Sequence, residues 1–283
     1  MERQLVQRKL SVLGSPIEHS KSPVIHAAAY RVLGLDWDYE RNQIGKGGVR
    51  PFVDALDASW IGLSLTMPLK EEAAKFASTL DKAAEATGAV NTLVRFDGGW
   101  AGYNTDVFGI VQAVHNAGIS QLESVLVVGS GATATSAVAA IKQLAPNAEV
   151  RVFARNSDTR SQLIAFAKSL GLNAKKTGNF ASTAAKADLV ISTLPAGAMD
   201  EVAAKLGSKR GFQPKGAILD VAYQPWPSGI ATVWYDRHQP IISGLEMLLW
   251  QAVAQIRIFL NGDPAVALPN EVAVVEAMRH SLD

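Results

Sequence analysis

The 283-residue chain contains no cysteine, which excludes disulfides, thiolate metal centres and cysteine nucleophiles. Histidine is scarce too. His19, His26, His115, His238 and His280 form no HxxH or HxxxH pair, so no zinc centre is expected. Neither charge is in excess: 27 Lys and Arg against 26 Asp and Glu give a net +1, and no basic run is long enough for a nucleic-acid binder, whose affinity rests on phosphate neutralisation. No apolar run approaches the length of a membrane span, and Met1-Glu2-Arg3-Gln4-Leu5 has no apolar signal core. A cytoplasmic enzyme is the expectation. With 48% hydrophobic and 19% charged residues, the chain suits a globular protein large enough for two domains.

What is present is an alternation of strand-like and helix-like segments. Lys9 to Leu13 reads as a buried strand ending at Gly14, and Ser22-Pro23 as a helix N-cap followed by proline at the first helical position, with the helix running to about Leu33. Trp37, Tyr39 and Arg41 share one face of a second strand, and Val49, Phe52, Val53 and Leu56 have helical spacing. Trp60 to Leu65 is a third strand, with a helix expected from Pro68 to about Ala77. Asn91 to Phe96 and Trp100 to Tyr103, around Asp97-Gly98, read as a hairpin.

After Asp106 comes a helix with Ile110, Val111 and Val114 on one face, then a different rhythm. Val125 to Val128 is a short apolar run of the kind a doubly covered parallel strand needs. Strands at Val150–Ala154, Leu189–Thr193, Ala217–Val221 and Pro240–Ile242, with helical stretches between them, give the βαβ order of a doubly wound domain. Helices near Leu245–Asn261 and Asn270–Ser281 close the chain. The fold class expected is α/β in two domains. Residues 1–106, with 247–283 returning to them, form an α/β substrate domain, and 107–246 a Rossmann-like dinucleotide-binding domain.

The second domain opens on Gly129-Ser130-Gly131-Ala132-Thr133-Ala134, a G-x-G-x-x-A turn between strand and helix. Such a turn brings backbone close to a pyrophosphate and aims helix N–H groups at its oxygens. An NAD enzyme usually has an acidic residue at the end of the next strand, to hold the ribose 2′-hydroxyl. Here Ala154-Arg155-Asn156 occupies that place, and a guanidinium pairs with a 2′-phosphate, which favours NADP. Asp158, close by, reaches the ribose only if the register shifts.

Four polar clusters fall at strand ends or loops of the first domain: Gly14-Ser15-Pro16-Ile17-Glu18-His19-Ser20-Lys21-Ser22-Pro23, Ser64-Leu65-Thr66-Met67-Pro68-Leu69-Lys70, Gly88-Ala89-Val90-Asn91-Thr92 and Gly102-Tyr103-Asn104-Thr105-Asp106. Ligands bind where such loops converge in open α/β sheets. Hydroxyls, a carboxamide, one lysine and one carboxylate suit a polyhydroxylated carboxylic acid. Each residue also has a plain structural use: Ser20, Ser22 and Asp106 as helix caps, Asn91 bonding its own backbone, Gln251 as a surface residue of its helix.

The order G-S-P-I-x-H-S-x-S-P, T-x-P-x-K, V-N-T, N-T-D and a dinucleotide fingerprint resembles the shikimate dehydrogenase family. Asp220-Val221-Ala222-Tyr223-Gln224-Pro225 is similar to its D-x-x-Y-x-P, and Gly244-Leu245-Glu246-Met247-Leu248-Leu249-Trp250-Gln251 to its G-L-x-M-L-x-x-Q. The resemblance runs from about residue 10 to 260. It implies that Ser20 and Ser22 bind the substrate carboxylate, that Thr66, Asn91, Asp106 and Gln251 hold ring hydroxyls with Tyr223 near, and that Lys70 and Asp106 form the catalytic pair. It also implies that Gly129 to Ala134, Ala154, Arg155, Asn156 and Gly244 meet NADP, with no metal, in reversible NADPH-dependent reduction of 3-dehydroshikimate to shikimate. Two departures stand out. Ala154 and Asn156 flank Arg155 where the family has N-R-T, and Ser64 replaces a more usual asparagine. An NAD-dependent quinate/shikimate dehydrogenase and a catalytically idle ligand sensor remain as alternatives, and the chain is expected as a monomer or a homodimer.

Overall fold

The computed structural model describes residues 7–282. The chain divides into two compact units: one holds it up to Thr105 and again from Gln251, and the other runs Asp106–Trp250.

In the first unit the chain forms β1 (Arg8–Gly14), α1 (Ser22–Leu33), β2 (Trp37–Gln43), α2 (Val49–Asp54), β3 (Trp60–Leu65), α3 (Lys70–Phe76), β4 (Thr79–Leu80), α4 (Lys82–Thr87), β5 (Thr92–Phe96) and β6 (Gly99–Tyr103). They build one mixed sheet in the order β2-β1-β3-β5-β6-β4. β1 is parallel to both β2 and β3, while β5 runs antiparallel to β3 and to its hairpin partner β6. Leu13, Leu63, Leu65, Leu69, Val90 and Leu93 fill the core on which α2, α3 and α4 pack.

Two expectations about helix starts are corrected. Lys21, not Ser22, is the N-cap of α1, and Ser22 is its first helical residue with Pro23 second. The Ser22 N–H is met by Ser20 Oγ at 3.3 Å, so the Ser22 hydroxyl is not spent on capping. The third helix opens at Lys70 and not at Pro68. The Met67–Pro68 bond is cis, and a turn closed by Leu69 N–H on the Thr66 carbonyl at 2.8 Å separates β3 from α3. Leu69, fully buried, takes the N-cap place.

The second unit forms α5 (Asp106–Asn116), β7 (Ser124–Val128), α6 (Ala132–Leu144), β8 (Glu149–Phe153), α7 (Ser157–Ser169), β9 (Asn173–Lys176), α8 (Phe180–Ala184), β10 (Leu189–Ser192), α9 (Asp200–Gly207), β11 (Ala217–Asp220), α10 (Gly229–Tyr235) and β12 (Ile241–Ser243). All six strands are parallel, ordered β12-β11-β10-β7-β8-β9. Counted within the unit this is the 3-2-1-4-5-6 order of the doubly wound dinucleotide fold, whose direction reverses between β7 and β10. Leu126, Val128, Val190, Ile218 and Trp234 anchor its core, the Trp234 indole N–H donating to the Gly216 carbonyl at 3.0 Å. β9 has no apolar run or alternation that marks it in the sequence. It is an edge strand with Ala174 as its one buried residue and two exposed lysines, the usual protection of an open edge.

From Gly244 the chain runs through α11 (Gly244–Asn261), which starts in the second unit and continues in the first, and ends in α12 (Glu271–His280). Arg257 on α11 grips Glu271 with two parallel bonds, Nε to Oε2 at 2.8 Å and Nη2 to Oε1 at 2.6 Å, and so fixes α12. Phe259 lies against the bare backbone of Gly62 in β3, where an added Cβ would fall well inside van der Waals contact of its ring. Gly62→Ala should therefore cost about 1–3 kcal/mol by overpacking, read as a lowered urea midpoint, and Phe259→Leu should recover part of that loss in the double variant. An unchanged midpoint in Gly62→Ala would show that the ring yields freely.

Candidate active site

Backbone hydrogen bonds bring the polar motifs of the first unit together at one end of its sheet. The Ser15 N–H donates to the Met67 carbonyl and Thr66 N–H to the Leu13 carbonyl, both at 2.9 Å, so the serine motif and the lysine motif lie side by side. Leu65 N–H donates to the Asn91 carbonyl at 2.8 Å, Val90 N–H to the Lys70 carbonyl at 2.9 Å, and Asn91 N–H to the Tyr103 carbonyl at 3.0 Å. Gly14 is needed in this crossing, because any Cβ there would overlap the Thr66 side chain. Thr66, Ser20 and Lys70 are half-buried, whereas Ser22, Asn91 and Gln251 are buried. Burial removes the surface-facing reading of Gln251.

Asn91 is the centre of the cluster. Its Oδ1 accepts from Thr105 N–H at 2.9 Å and from the Thr92 hydroxyl at 2.9 Å, and its Nδ2 donates to Thr105 Oγ1 at 2.9 Å and to Gln251 Oε1 at 3.4 Å. The side chain therefore holds the backbone immediately before Asp106, itself buried and the first residue of α5. Behind Asn91 lies a second layer. His26 is fully buried, with Nδ1 3.0 Å from the Tyr30 hydroxyl and Nε2 3.3 Å from Gln255 Oε1. Its ring stacks on Tyr39, centroids 3.9 Å apart, and the Tyr39 hydroxyl donates to Ser64 Oγ at 2.7 Å.

In the second unit Gly129 follows β7 with φ +112, a conformation that favours glycine, and a Cβ there would overlap Thr193 at the end of β10. Thr193 donates both its N–H and its hydroxyl to the Val128 carbonyl, at 2.9 and 2.8 Å, which fastens the two strands at the reversal point. Gly131 is the N-cap of the 13-residue α6, no side chain caps the helix there, and a Cβ on Gly131 would meet nothing within 4 Å. Ser130 Oγ bonds Thr159 Oγ1 at 2.7 Å, and Ala134 packs fully buried. Asn156 caps α7, accepting from Asp158 N–H at 2.9 Å and Thr159 N–H at 3.0 Å. Asp158 thereby sits in the first turn of the helix. Arg155 is exposed and has no hydrogen bond or ion pair to another described residue. The Ala154 carbonyl accepts from Arg160 Nη1 at 2.7 Å. Tyr223 is half-buried in the loop after β11, a loop closed by Ser228 Oγ donating to Asp220 Oδ2 at 2.6 Å. Burial raises the Asp220 pKa, with that bond acting in the opposite direction. Gly244 begins α11 where a Cβ would overlap the Val221 carbonyl. Among the described residues no group of three or more His, Cys, Asp or Glu is arranged to hold a metal ion, and no helix is long and apolar enough to cross a membrane.

Comparison with known proteins agrees with this division. Residues 12–93 match the shikimate dehydrogenase substrate binding domain, and residues 101–229 match the C-terminal domain of alanine dehydrogenase/PNT. Shikimate dehydrogenase (NADP(+)) of Nitrosopumilus maritimus is 31% identical over 257 residues, which cover 89% of this chain and 93% of that protein. The chain belongs to the shikimate dehydrogenase family. The crystal structure of Mycobacterium tuberculosis shikimate dehydrogenase superposes with a TM-score of 0.84 at 36% identity, covering 96% of this chain and 99% of the other. The Thermus thermophilus enzyme crystallised with NADP(H) and shikimate gives 0.78 at 27% identity over 97% and 100%.

Several members of the cluster escaped the sequence reading. Thr92 and Thr105 lie inside the V-N-T and N-T-D motifs but were not singled out, and Tyr39 read only as a strand-face residue. Gln255 follows Gln251 by four residues, one helical turn on the same face, which was the available signal. His26 gave none.

Burial lowers the His26 pKa from 6.5 to about 3, the bond to Gln255 opposing this only in part, while burial raises the pKa of both Tyr30 and Tyr39. All three are therefore neutral at physiological pH. Because the folded pKa of His26 lies below the unfolded one, the unfolded chain binds the extra proton. The stability tied to His26 is complete above pH 6.5 and is lost as pH falls toward 3. Between pH 4 and 6 the urea midpoint of His26→Leu should depend less steeply on pH than that of the parent, by about one proton. Equal slopes would assign the acid sensitivity to other groups.

Proposed function

We propose that the chain catalyses the reversible NADPH-dependent reduction of 3-dehydroshikimate to shikimate in aromatic amino acid biosynthesis, acting in the cytoplasm. One observation carries this reading. The G-S-P-I-x-H-S-x-S-P segment (through Ser15) and the T-x-P-x-K, V-N-T and N-T-D segments, far apart in sequence, are hydrogen-bonded to one another at one end of a single sheet. Ser20 and Ser22 supply hydroxyls for the carboxylate; Thr66, Asn91 and Gln251 take the ring hydroxyls, with Tyr223 as a further contact. Lys70 and Asp106 exchange the proton at the substrate oxygen, and with no metal in the scheme an acid/base pair is what that oxygen requires.

The second unit has residues that fit NADP. The uncapped first turn of α6 and the bare Cα of Gly131 leave N–H groups for a pyrophosphate, and Arg155 has no partner among the described residues to give up before pairing with a 2′-phosphate. When bound, the cofactor supplies the hydride for the carbonyl carbon. Gly129 to Ala134, Ala154, Asn156 and Gly244 shape its seat. Asn156, spent on capping α7, serves by holding the strand end on which Arg155 stands. That same guanidinium, with Asp158 drawn into the helix, weighs against an NAD-dependent quinate/shikimate dehydrogenase.

Steady-state kinetics with NADP and NAD, each against shikimate and quinate, test the reading, and NADP with shikimate should give the highest kcat/KM. Lys70→Ala should lower kcat by at least a hundredfold while shikimate binding, measured by calorimetry, changes little; near-normal turnover would remove Lys70 from the proton transfer. Arg155→Ala should raise KM for NADP at least tenfold and leave KM for NAD within twofold. Equal losses would overturn the 2′-phosphate assignment.

A further inference from the structure

Gln255 stands outside every motif, yet its side chain bonds four other residues of the cluster, Asn91, Thr92, Ser64 and His26. We propose that Gln255 is a positioning residue for the reaction: it helps fix how Asn91 presents its carboxamide, and so sets substrate affinity without touching substrate. The inference rests on the functional reading above, in which Asn91 and Gln251 hold ring hydroxyls.

The side chain is 1% exposed and saturated. Its Nε2 donates to the Asn91 carbonyl at 3.2 Å and to Thr92 Oγ1 at 3.0 Å; its Oε1 accepts from Ser64 Oγ at 3.0 Å and faces His26 Nε2 at 3.3 Å. The carbonyl of Asn91 has no proton to give, so Nε2 must be the atom that faces it. That fixes the amide, and every other proton follows. Oε1 then faces Ser64 and His26, so Ser64 donates to it, and His26 donates from Nε2 and accepts from Tyr30 at Nδ1. The Thr92 hydroxyl receives from Gln255 and passes its own proton to Asn91 Oδ1 at 2.9 Å. Oδ1 also receives the Thr105 N–H, so the Asn91 amide has its oxygen turned to Thr92 and Thr105 and its Nδ2 turned to Gln251. A flipped Asn91 would set Nδ2 against the Thr105 N–H, two donors face to face. The relay from Gln255 through Thr92 and the Thr105 N–H thus favour the same orientation of the Asn91 amide, the relay adding a second donor to Oδ1. Ser64, which departs from the family's asparagine, keeps its place in this chain by accepting from Tyr39 and donating to Gln255.

The test compares Gln255→Met, which keeps length and burial but loses both donors, with Asn91→Ala and with the double variant. For Gln255→Met, KM for shikimate should rise about tenfold while kcat and KM for NADP stay within twofold, the pattern of lost uniform binding. In the Asn91→Ala background the same substitution should change KM by less than twofold, because a residue acting through Asn91 has nothing left to act on. Either an unchanged KM in folded Gln255→Met or losses that multiply in the double variant would overturn the proposal, the latter because independent losses mean general packing. Thr92→Val cuts the same relay with little change in volume. Should Gln255→Met fail to fold, the tenfold rise is required of Thr92→Val, and its absence overturns the proposal. The parent enzyme is the control that separates the two readings. If it does not turn over shikimate, the functional reading fails first; if it does and the variants bind normally, only the role of Gln255 fails.

Discussion

The hydrogen bond from the Thr105 N–H to Asn91 Oδ1 is the constraint on which the site depends. Asn91 precedes β5 and Thr105 follows β6, so this contact closes the open end of the hairpin just beyond the pair Thr92 and Tyr103. The Asn91 backbone is already committed, its carbonyl to Leu65 beside β3 and its N–H to Tyr103. A side chain anchored at both ends of its own peptide has little freedom left. Because Asp106 is the next residue after Thr105, the position of the proposed catalytic carboxylate inherits that rigidity through one peptide bond. Lys70 is held in a comparable way, with its carbonyl bonded to Val90, the neighbour of Asn91 on the other side. The Lys70 and Thr105 backbones are thus held by two adjacent residues, Val90 and Asn91.

The second unit solves a different problem, which is to keep polar groups free rather than bound. A helix N-terminus normally takes a side-chain cap, and α7 has one in Asn156, as α4 has in Asp81. α6 has glycine instead, and its first-turn N–H groups have no competing side chain. Several other helices, α2 with its own glycine among them, also lack a side-chain cap. Capping α7 with Asn156 pins the end of β8 beside the exposed Arg155, and a capping oxygen on α6 would compete with the proposed pyrophosphate for its N–H groups. Gly129 is needed for a steric reason as well, since Thr193 occupies the space a Cβ would take, and Thr193 is the residue that ties β10 to β7 at the reversal of strand order.

Periodicity and turn chemistry made most of the fold legible. The buried strands β1, β3, β7, β10 and β11 are apolar runs that admit little else, and five of the six strands of the second unit follow from the βαβ rhythm once the fingerprint marks the first. The errors have local causes. Proline at position 68 suggests a helix start, but a tight turn intervenes and a buried leucine takes the cap place. β9 and β4 lie at sheet edges, where polarity is protective and the apolar signal is lost. Of the proposed site, the motif residues stand out by their order along the chain, since each type alone is ordinary at a strand end or helix cap. The second layer does not, because buried His26, Tyr39 and Gln255 look like ordinary helix and strand residues until the fold brings 229 positions of separation down to one hydrogen bond.

A core that buries histidine, tyrosine, serine and glutamine together is less stable than an apolar one of the same volume unless every donor and acceptor is matched. Here matching is possible in only one arrangement. It begins at an atom that cannot donate, the Asn91 carbonyl, and the direction of each subsequent bond is forced outward from it. With His26 neutral its Nδ1 accepts and the Tyr30 hydroxyl donates, whereas an imidazolium would donate from both nitrogens and turn that hydroxyl into an acceptor. The depression of its pKa to about 3 is thus the condition that gives the network a single polarity. A pocket for a polyhydroxylated acid gains from that uniqueness, because discrimination among hydroxyl patterns rests on knowing which edge of an amide offers hydrogen and which accepts it. An apolar core behind Asn91 would remove the Thr92 proton from Oδ1 and leave the Thr105 N–H as the main bond setting which edge the carboxamide presents.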